Sequence, residues 1–575
     1  MSLVVPAARL LAAALSFGSP TSLQAQAAKV GQRVFVSNCA MCHTVSPDVK
    51  ALMGPGLHGV VGRQIGGVPG FGYSDALIGL GGRRKTWTRD ELDRYLADPG
   101  RYAPGTTMPV SVADAAQRRA LTAYLAQLTA VPSAAAPSAV AAPAAPAASA
   151  VAATDDPLHW SADKPGRIHE LKVSQLPRPY ATDSASNNPR TVPRPEGTLP
   201  SVPDGFQVQL WAKDPDRGRV MVKAPNGDIF ISSTPKRLVK VFRSSTGETA
   251  DVVSTFASGM DRPFGMSFWP TGPNPQYLYV AFVNSIVRYA YRNGDLVATG
   301  APEVVVPRLS AAVGAHSSRT LAFSNDGRTM FLSIGSATNV GENIGRAPPE
   351  PVAVWEARHG VGAAWGEEEG RALVLAFDPD GGNRRSHATG LRNCVGMYVH
   401  PRSDDLFCSI NERDLLGDNL PPDYLTRVKP GGFYGWPWFY IGAHEDPRLA
   451  GHRPDLRDKV ITPDLLLTAH SAPLGMIMYE AGPKATAAFP KAYDGDLFLT
   501  FHGSWNRHTR TGSKVVRVFM KDGVPTGRYQ DFMTGFVVSD REVWGRPSAV
   551  VVQEDGSLLV DDDVTGEIWR VAPRR

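Results

Sequence analysis

The sequence predicts a multidomain protein in which a linker joins a small all-α domain to an all-β domain with the fold of a six-bladed propeller. Apolar residues recur at helical spacing up to about residue 129, and Ala and Pro dominate the segment that follows. Short β-branched and aromatic runs separated by turns then fill the remainder. We expect four parts: a signal peptide at 1–27, the helical domain at 28–129, the linker at 130–199 and the β domain at 200–575.

The first residues have the features of a secretory signal. Arg9 precedes an apolar stretch from Leu10 to Phe17, and Ala25-Gln26-Ala27 is a small-residue cleavage site. The apolar stretch is too short to span a bilayer, and no later run is apolar enough to do so. We therefore expect an exported chain with no membrane span after cleavage. An uncleaved anchor is the alternative, because a single basic residue precedes the stretch.

Composition limits the classes of function. The chain is 43% hydrophobic, which suffices for large cores, and its net charge of +5 forms no basic block. Nucleic-acid binding therefore has no support. The 56 glycines and 48 prolines favour a turn-rich body dominated by β-structure.

The motif C-A-M-C-H at residues 39–43 is a haem-attachment signature. The thiols of Cys39 and Cys42 can form thioethers with one haem, and His43 can then bind the iron. A chance occurrence is the alternative. Together with export, the motif predicts one covalent haem c in a periplasmic protein that transfers single electrons.

The helices around this motif can be predicted individually. Thr88-Arg89-Asp90-Glu91 has the pattern of a capping box, and Leu92, Tyr95 and Leu96 share one helical face. Asp98-Pro99-Gly100 should end that helix, and a second helix should begin at about Val112.

The sixth iron ligand is a choice between two methionines. Met108 lies on a proline-braced loop, and Met53 precedes the glycine-rich segment G-P-G-L-H-G at 54–59. With that segment and Trp87-Thr88, residues 28–129 resemble a class I cytochrome c. The resemblance favours Met108 as the ligand.

The β domain shows repeated turn-and-strand signals. Turn dipeptides precede strand-like runs at residues 226–231, 325–332, 494–499 and 555–560. The recurrence is loose, and the length leaves room for six propeller blades. A sandwich or a TIM barrel is less favoured, because long helical crossovers are absent from the sequence.

Motifs spread over nearly the whole β domain resemble the sorbosone and soluble aldose dehydrogenases, which are pyrroloquinoline quinone (PQQ) proteins built on six-bladed propellers. The matching segments are R-P-F-G-M at 262–266, H-S-S-R at 316–319, G-S-A-T-N at 335–339, G-L-R-N at 390–393, N-E-R-D at 411–414, G-G-F-Y-G-W-P at 431–437, H-S-A-P at 470–473, H-G-S-W-N-R at 502–507 and G-R-P at 545–547.

The resemblance implies a role for each candidate residue. His316 would be the base that removes the proton of a sugar hydroxyl, although a buried structural histidine is the alternative. Contacts to the anionic PQQ would come from Arg392, Asn393, His470, Arg507 and Arg546. The loop at 411–419 matches the calcium loop of the family, and there Ca²⁺ would be held by Glu412 and Arg413, through their backbone oxygens, and by Asp414. A solvated acidic turn is the alternative for that loop.

The two remaining cysteines depart from the family pattern. Cys394 follows Arg392-Asn393 at a position where the family usually has proline, and Cys408 lies in a predicted strand from Leu406 to Ile410. A disulfide suits an oxidising compartment, and two buried free thiols are equally open at this point.

These observations favour a periplasmic quinohaemoprotein dehydrogenase that oxidises an aldose or sorbosone-type sugar with PQQ and passes electrons to its own haem. A downstream cytochrome or terminal oxidase would receive them. One alternative is a calcium-dependent propeller lactonase with an appended cytochrome. Another is a haem-bearing protein that only docks a redox partner.

Overall fold

The computed structural model of this protein describes residues 30–35, 38–39, 42–45, 54–69, 71–83, 85–104, 106, 108, 110–128, 156–310, 316–342, 344–483 and 485–574. The predicted signal peptide, the Ala/Pro-rich segment at 130–154 and the alternative iron ligand Met53 lie outside these residues. Within the described part of the chain, no helix has the length and apolar character needed to cross a membrane.

The N-terminal region is helical. Its helices are α1 at 30–35, α2 (Asp75–Gly82), α3 (Arg89–Ala97), α4 (Pro99–Tyr102) and α5 (Ala115–Gln127). The predicted cap is present, because the Thr88 hydroxyl accepts a hydrogen bond from the Glu91 amide at 3.1 Å. The last helix begins three residues after the predicted Val112, because the Asp114 carboxylate caps its first turn through the Gln117 amide.

Helices α3 and α5 pack together and form the core of this region. Leu92 and Leu96 of α3 are buried with Leu121 and Leu125 of α5. Cys39, the first cysteine of the haem motif, is buried in the same cluster. The helices therefore place the motif against an apolar core.

The large region is an all-β domain with one helix, α6 (Val352–His359). Its strands are β1 (Ile168–Glu170), β2 (Arg190–Thr191), β3 (Phe206–Lys213), β4 (Val220–Lys223), β5 (Ile229–Ser233), β6 (Leu238–Arg243), β7 (Val252–Ser258), β8 (Met266–Trp269), β9 (Tyr277–Ala281), β10 (Ile286–Ala290), β11 (Glu303–Val306), β12 (Leu321–Phe323), β13 (Met330–Ile334), β14 (Leu373–Phe377), β15 (Arg385–Thr389), β16 (Cys394–Val399), β17 (Leu406–Ile410), β18 (Tyr424–Arg427), β19 (Gly432–Phe433), β20 (Phe439–Tyr440), β21 (His444–Glu445), β22 (Leu465–Leu466), β23 (Pro473–Met478), β24 (Leu497–Phe501), β25 (Lys514–Lys521), β26 (Val524–Met533), β27 (Val537–Ser539), β28 (Glu542–Val543), β29 (Pro547–Val552), β30 (Leu558–Asp562) and β31 (Glu567–Pro573).

Most of these strands form six sheets of four or five strands. In sequence order, the sheets begin with β4, β8, β12, β16, β23 and β29, and neighbouring strands within each are mostly antiparallel. Each of these six strands contacts the first strand of the next sheet, and β29 contacts β4. The sixth sheet contains β29, β30 and β31 and is completed by β3, because Phe206 pairs with Pro573.

A cavity of about 470 Å³ lies among the six first strands. Phe264, Val395 and Leu474 form a small buried apolar cluster that lines it. Val395 is two residues from Asn393, so this part of the cavity is close to the predicted site, although none of the predicted site residues lines it.

Residues 156–199, which we expected in the linker, lie against the β domain as an arm. In the arm, β1 pairs with β26 and β2 pairs with β28. Lys514 donates to the carboxylates of Asp163 and Asp531 at 2.7 Å, and His169 also contacts Asp531 at 2.9 Å. Paired buried charges therefore hold the arm, although its proline-rich sequence is typical of a linker.

Cys394 and Cys408 form a disulfide across the adjacent antiparallel strands β16 and β17. Their Cα atoms are 5.5 Å apart, a separation that suits such a bond. The structure therefore has the disulfide, and not two free thiols, at these positions.

Candidate active site and haem site

The haem motif presents a histidine of which, among the described residues, only one ring nitrogen has a hydrogen-bond partner. His43 Nδ1 lies 2.7 Å from the carbonyl oxygen of Pro55. A carbonyl oxygen can only accept, so Nδ1 carries the hydrogen and Nε2 keeps the lone pair that an iron ligand needs. Burial lowers the pKa of His43, so the ring is neutral. Gly54 lies so close to the ring that a side chain at that position would collide with it.

The other haem residues share this environment. Cys39 and Cys42 form no disulfide, and burial raises the pKa of their thiols to about 12 and about 11. Met108 packs against the apolar cluster that contains Cys39. Two neighbouring thiols, an imidazole with a free Nε2 and a nearby thioether fit a covalently attached haem c.

In the β domain, His316 has a defined tautomer. Its Nδ1 lies 2.9 Å from the carbonyl oxygen of Ser336 and 2.9 Å from the hydroxyl oxygen of the same residue. The Ser336 hydroxyl donates its hydrogen to the Thr338 carbonyl at 2.6 Å, so towards His316 its oxygen can only accept. Nδ1 therefore carries the hydrogen, and Nε2 is the basic nitrogen of the ring.

Positive charge surrounds this histidine. The pKa of His316 is lowered well below its ordinary value, first by burial and then by the charges of Arg392, Arg371 and Arg319. These three guanidinium groups are themselves buried. The ring is therefore neutral, as a general base must be, and the surrounding charge suits an anionic ligand.

Arg392 is bound mainly by protein oxygens. Its Nε and one terminal nitrogen donate to the carbonyl and amide oxygens of Asn339 at 2.9 and 2.8 Å. The other terminal nitrogen donates to the carbonyl oxygens of Asn411 and Glu412 at 3.0 and 2.8 Å. Arg392 therefore contributes positive charge to the site and anchors the 411–414 loop, rather than presenting two free donors.

Asn393 keeps a donor available. Its amide oxygen accepts from the Ser318 hydroxyl at 3.0 Å, which places the side chain beside the His316 segment. Gly335 allows this approach, because a Cβ there would lie 2.7 Å from the Cβ of His316. In the described part of the chain, the amide nitrogen of Asn393 has no acceptor within hydrogen-bond distance, so it can donate to a ligand.

The three residues predicted to bind calcium have different surroundings. The Arg413 guanidinium pairs with the Asp446 carboxylate. The Asp414 carboxylate lies 3.3 Å from His470 Nδ1 and 3.8 Å from the Arg392 guanidinium.

Glu412 is the residue of this group that best fits a cation. It is buried, and its Oε1 accepts no hydrogen bond from the described residues. Desolvation by burial raises the pKa of this carboxyl to about 7. A hard cation prefers such an oxygen, so the Glu412 side chain is where the loop fits calcium.

His470 joins the calcium loop to the candidate site. Besides its contact with Asp414, its Nε2 lies 3.0 Å from the carbonyl oxygen of Gly417. Its φ angle of 62° is in the left-handed region, which is uncommon for a residue other than glycine. Both ring nitrogens are therefore occupied by protein groups.

Arg507 and Arg546 belong to neighbouring networks. Arg507 donates to the Asp418 carbonyl at 2.7 Å and pairs with Asp156 of the arm at 3.2 Å. Arg546 donates to the carbonyl oxygens of His502 and Gly503 at 2.7 and 3.0 Å. Successive contacts in the structure link five of the predicted site residues: His316, Arg392, Asn393, Asp414 and His470. Arg507 lies beyond them, where it contacts Asp418 near the end of the 411–419 loop.

Sequence reasoning gave no role to several residues of this site. Ser336 and Asn339 lie in the G-S-A-T-N motif, which was noted only for its resemblance. Arg371 and Glu368 follow α6 and lie in no sequence motif that indicates a function. Their importance depends on contacts with His316 and with residues 337–338, which spacing in the sequence does not reveal.

Two families of known proteins match different parts of the chain. The profile of the TrAA12-like family matches residues 200–420 and 454–574, and that of cytochrome c matches residues 28–129. A cytochrome c from Gibberella zeae is 41% identical over 102 residues, which are 18% of this chain and 93% of that protein. An uncharacterized protein from Borreliella burgdorferi is 27% identical over 387 residues, or 64% of this chain and 90% of that protein.

Two solved structures share the fold of the large domain. The holo form of the pyranose dehydrogenase PQQ domain from Coprinopsis cinerea aligns with a TM-score of 0.51 and 20% identity, over 66% of this chain and 98% of that one. The calcium structure of the Trichoderma reesei carbohydrate-active enzyme of family AA12 aligns with a TM-score of 0.52 and 18% identity, over 68% and 99%. At these identities the similarity shows the fold alone.

Proposed function

The chain belongs to the TrAA12-like family and carries a cytochrome c domain ahead of its family region, and on this basis we propose that it is a quinohaemoprotein sugar dehydrogenase. The observation that carries the proposal is His316: a buried, neutral imidazole whose Nδ1 donates to Ser336 and whose Nε2 has no hydrogen-bond partner among the described residues. Such a nitrogen can accept the proton of a substrate hydroxyl. An aldose or sorbosone-type sugar is the proposed substrate.

PQQ and haem c are the proposed redox cofactors. When bound, PQQ supplies a quinone carbon that accepts hydride, and haem c supplies an iron that accepts electrons singly. The charges of Arg319, Arg371 and Arg392 would balance the carboxylates of PQQ, and the Asn393 amide would donate to it. Cys39, Cys42, His43 and Met108 would hold the haem. Calcium would bind through Glu412.

The proposed fold of the large domain is the six-bladed propeller expected from the sequence. Six sheets follow one another along the chain, and their first strands contact each other in cyclic order. Pairing of β3 with β31 would then join the first and last parts of the ring. In such a ring the candidate site occupies one end of the central axis.

The point at which the arm begins supports electron transfer to the chain's own haem. Asp156 contacts Arg507, and Arg507 contacts the loop that carries Asp414 and its neighbours. The described chain therefore resumes, at Asp156, at the end of the β domain that bears the site. A tether as short as residues 130–155 would keep the cytochrome at a high local concentration near the site.

The periplasm is the proposed location. The predicted signal peptide, the haem attachment motif and the Cys394–Cys408 disulfide all suit an oxidising compartment outside the cytoplasm. A soluble cytochrome or a terminal oxidase would take electrons from the haem.

A haem spectrum that depends on substrate tests the proposal. Protein with haem attached would be mixed with PQQ and Ca²⁺ and challenged with aldoses, sorbosone and simple alcohols. We expect the reduced haem band only when PQQ and a sugar are both present. The variant His316→Asn should lose it, whereas His452→Asn, at an exposed histidine, should retain it.

The other outcomes separate the alternatives. Reduction of an artificial dye without haem reduction would keep the dehydrogenase and reject transfer to the chain's own haem. No reduction of either acceptor would reject the dehydrogenase, and lactone hydrolysis would be measured next.

A further inference from the structure

A buried carboxylate lies behind the candidate base. Glu368 follows α6, in the segment between β13 and β14, and its side chain has no solvent exposure. The carboxylate accepts three hydrogen bonds: from the Ala337 amide at 2.7 Å, the Thr338 amide at 2.8 Å and the Thr338 hydroxyl at 2.5 Å. The Glu368 side chain therefore holds the backbone of residues 337–338 and the side chain of Thr338.

The segment that Glu368 holds is the one that orients His316. Ser336 presents its carbonyl and hydroxyl oxygens to His316 Nδ1, and its hydroxyl is itself oriented by the carbonyl of Thr338. If residues 337–338 moved, the Thr338 carbonyl would no longer fix the Ser336 hydroxyl. The Ser336 carbonyl belongs to the same peptide group as the Ala337 amide that Glu368 holds, so it would also move away from Nδ1. The hydroxyl could then turn and donate to Nδ1, which would favour the opposite tautomer of His316.

A second contact joins the same groups. Arg371 donates to the carbonyl oxygens of His316 and Ser336 at 2.9 and 3.1 Å. Burial lowers the pKa of Arg371 to about 10, and the charge of Glu368 opposes that shift. The charge of Glu368 therefore also stabilises the charged form of Arg371, which links the backbone at His316 to the backbone at Ser336.

We propose that Glu368 is a positioning residue for the candidate base: by holding residues 336–338 it keeps the hydrogen of His316 on Nδ1 and leaves Nε2 free to accept the substrate proton. The proposal rests on the proposed dehydrogenase function. Glu368 would act on His316 through Ser336 and would not contact the substrate.

Three variants of the full chain test this role. Glu368→Ala removes all three acceptors, and Glu368→Gln keeps an oxygen for Thr338 but turns an NH₂ group towards the Ala337 amide. Glu369→Gln is the matched control, because the neighbouring glutamate is exposed. We expect Glu368→Ala to lower kcat by about 10- to 100-fold with KM little changed, by analogy with the groups that orient metal-bound histidines. Glu368→Gln should recover part of the loss, and the control should match wild type.

The tautomer supplies a readout that does not depend on turnover. Protein containing ¹⁵N-labelled histidine, with haem reduced and no PQQ, would be studied by NMR, and His316→Asn would identify the signals of that ring. In wild type we expect Nδ1 to be protonated and Nε2 unprotonated at pH 7. In Glu368→Ala the two nitrogens should shift towards a mixture of tautomers.

The results separate this proposal from the proposed function. Wild-type protein without dehydrogenase activity, but with a tautomer that changes in Glu368→Ala, would reject the function and keep the positioning role. An active wild type whose Glu368→Ala and Glu368→Gln variants keep the kcat and the histidine spectrum of the control would overturn the positioning role. If Glu368→Ala failed to fold, the comparison of Glu368→Gln with the control would decide.

Discussion

The Nδ1 hydrogen of His316 points at two oxygens of one residue, the carbonyl and the hydroxyl of Ser336, each 2.9 Å away. The carbonyl oxygen belongs to the backbone and remains after any substitution at position 336. The hydroxyl oxygen is lost when Ser336 is replaced by alanine. Replacing Ser336 therefore tests how far the orientation of the base depends on the hydroxyl alone.

Ser336→Ala should reduce kcat by a few-fold, because a neutral hydrogen bond contributes about 0.5–1.5 kcal/mol and the carbonyl acceptor remains. Steady-state kinetics with an artificial dye as acceptor would measure the effect. Ser403→Ala, at an exposed serine, is a suitable control. A loss of kcat as large as that of His316→Asn would contradict the prediction, because it would show that the carbonyl acceptor alone does not orient the base.

The pH dependence of kcat/KM should reflect the environment of His316. Burial and the three arginines lower the pKa of this histidine below 6.5, so it stays neutral as the pH falls through that value. The acidic limb of the profile should therefore lie below pH 6.5. An acidic limb above pH 6.5 that is absent from His316→Asn would contradict the assignment.

His502 should make stability sensitive to acid. Burial lowers the pKa of His502 from 6.5 to about 4, although its Nε2 lies 2.8 Å from the Asp563 carboxylate. Between these values the unfolded chain binds a proton that the folded chain does not, so stability is complete above pH 6.5 and is lost as the pH falls towards 4. At about 1.4 kcal/mol for each pKa unit, the loss is at most about 3 kcal/mol.

Calorimetry from pH 7.5 to 4.5 would measure this effect as a difference between wild type and His502→Gln. The glutamine can still donate to Asp563 but does not titrate, so the variant should lose less stability on acidification. His452→Gln, at an exposed position, should follow wild type. Parallel curves for wild type and His502→Gln would reject the role of this histidine.

The disulfide should stabilise the sheet that begins with β16. A loop of about 15 residues closed by a disulfide is worth about 3 kcal/mol in chain-entropy estimates. Replacing both Cys394 and Cys408 by serine should lower the melting temperature of the β domain, and a reducing agent should do the same to wild type. No change in either experiment would show that the bond does not form in solution.

Lys514 should hold the arm on the β domain. It bridges Asp163 of the arm and Asp531 of β26, and all three side chains are largely buried. Lys514→Met would leave two buried carboxylates without their cation, a loss of about 3–5 kcal/mol. Limited proteolysis should then cut within the arm much faster. Unchanged cleavage, with Lys521→Met as the exposed control, would contradict this prediction.

Much of the architecture could be predicted because its signals are local. The turns at Asn226-Gly227 and Asp555-Gly556 are followed by β5 and β30, and the strand predicted from Leu406 to Ile410 has those bounds. The cap at Thr88 was equally local, although the Glu91 carboxylate accepts from the Tyr102 hydroxyl instead of completing the predicted capping box. The arm could not be predicted, because Asp163 and His169 are paired with groups far along the chain.

The candidate site, like the fold, could be predicted only in part. Most of the residues named from motifs lie around His316 or along the loop at 411–419, whereas Arg546 lies apart, on the carbonyl oxygens of His502 and Gly503. The contacts that orient these residues were not predictable. Glu368 and Arg371 act on His316 through backbone atoms, which leave no pattern in the sequence. The resemblance implied that Arg392, Arg507 and Arg546 contact PQQ, whereas in the structure all three guanidinium groups donate to protein oxygens.

The pairing of β3 with β31 has a consequence for biogenesis. Phe206 is synthesised long before its partner Pro573, so the sheet that contains both cannot be completed until nearly all of the intervening chain has emerged. Contacts between such distant residues carry a high entropic cost of closure and slow folding. Until β31 has been made, the backbone groups along the edge of β3 that it covers stay unpaired, and such an edge is a site where a wrong strand can add.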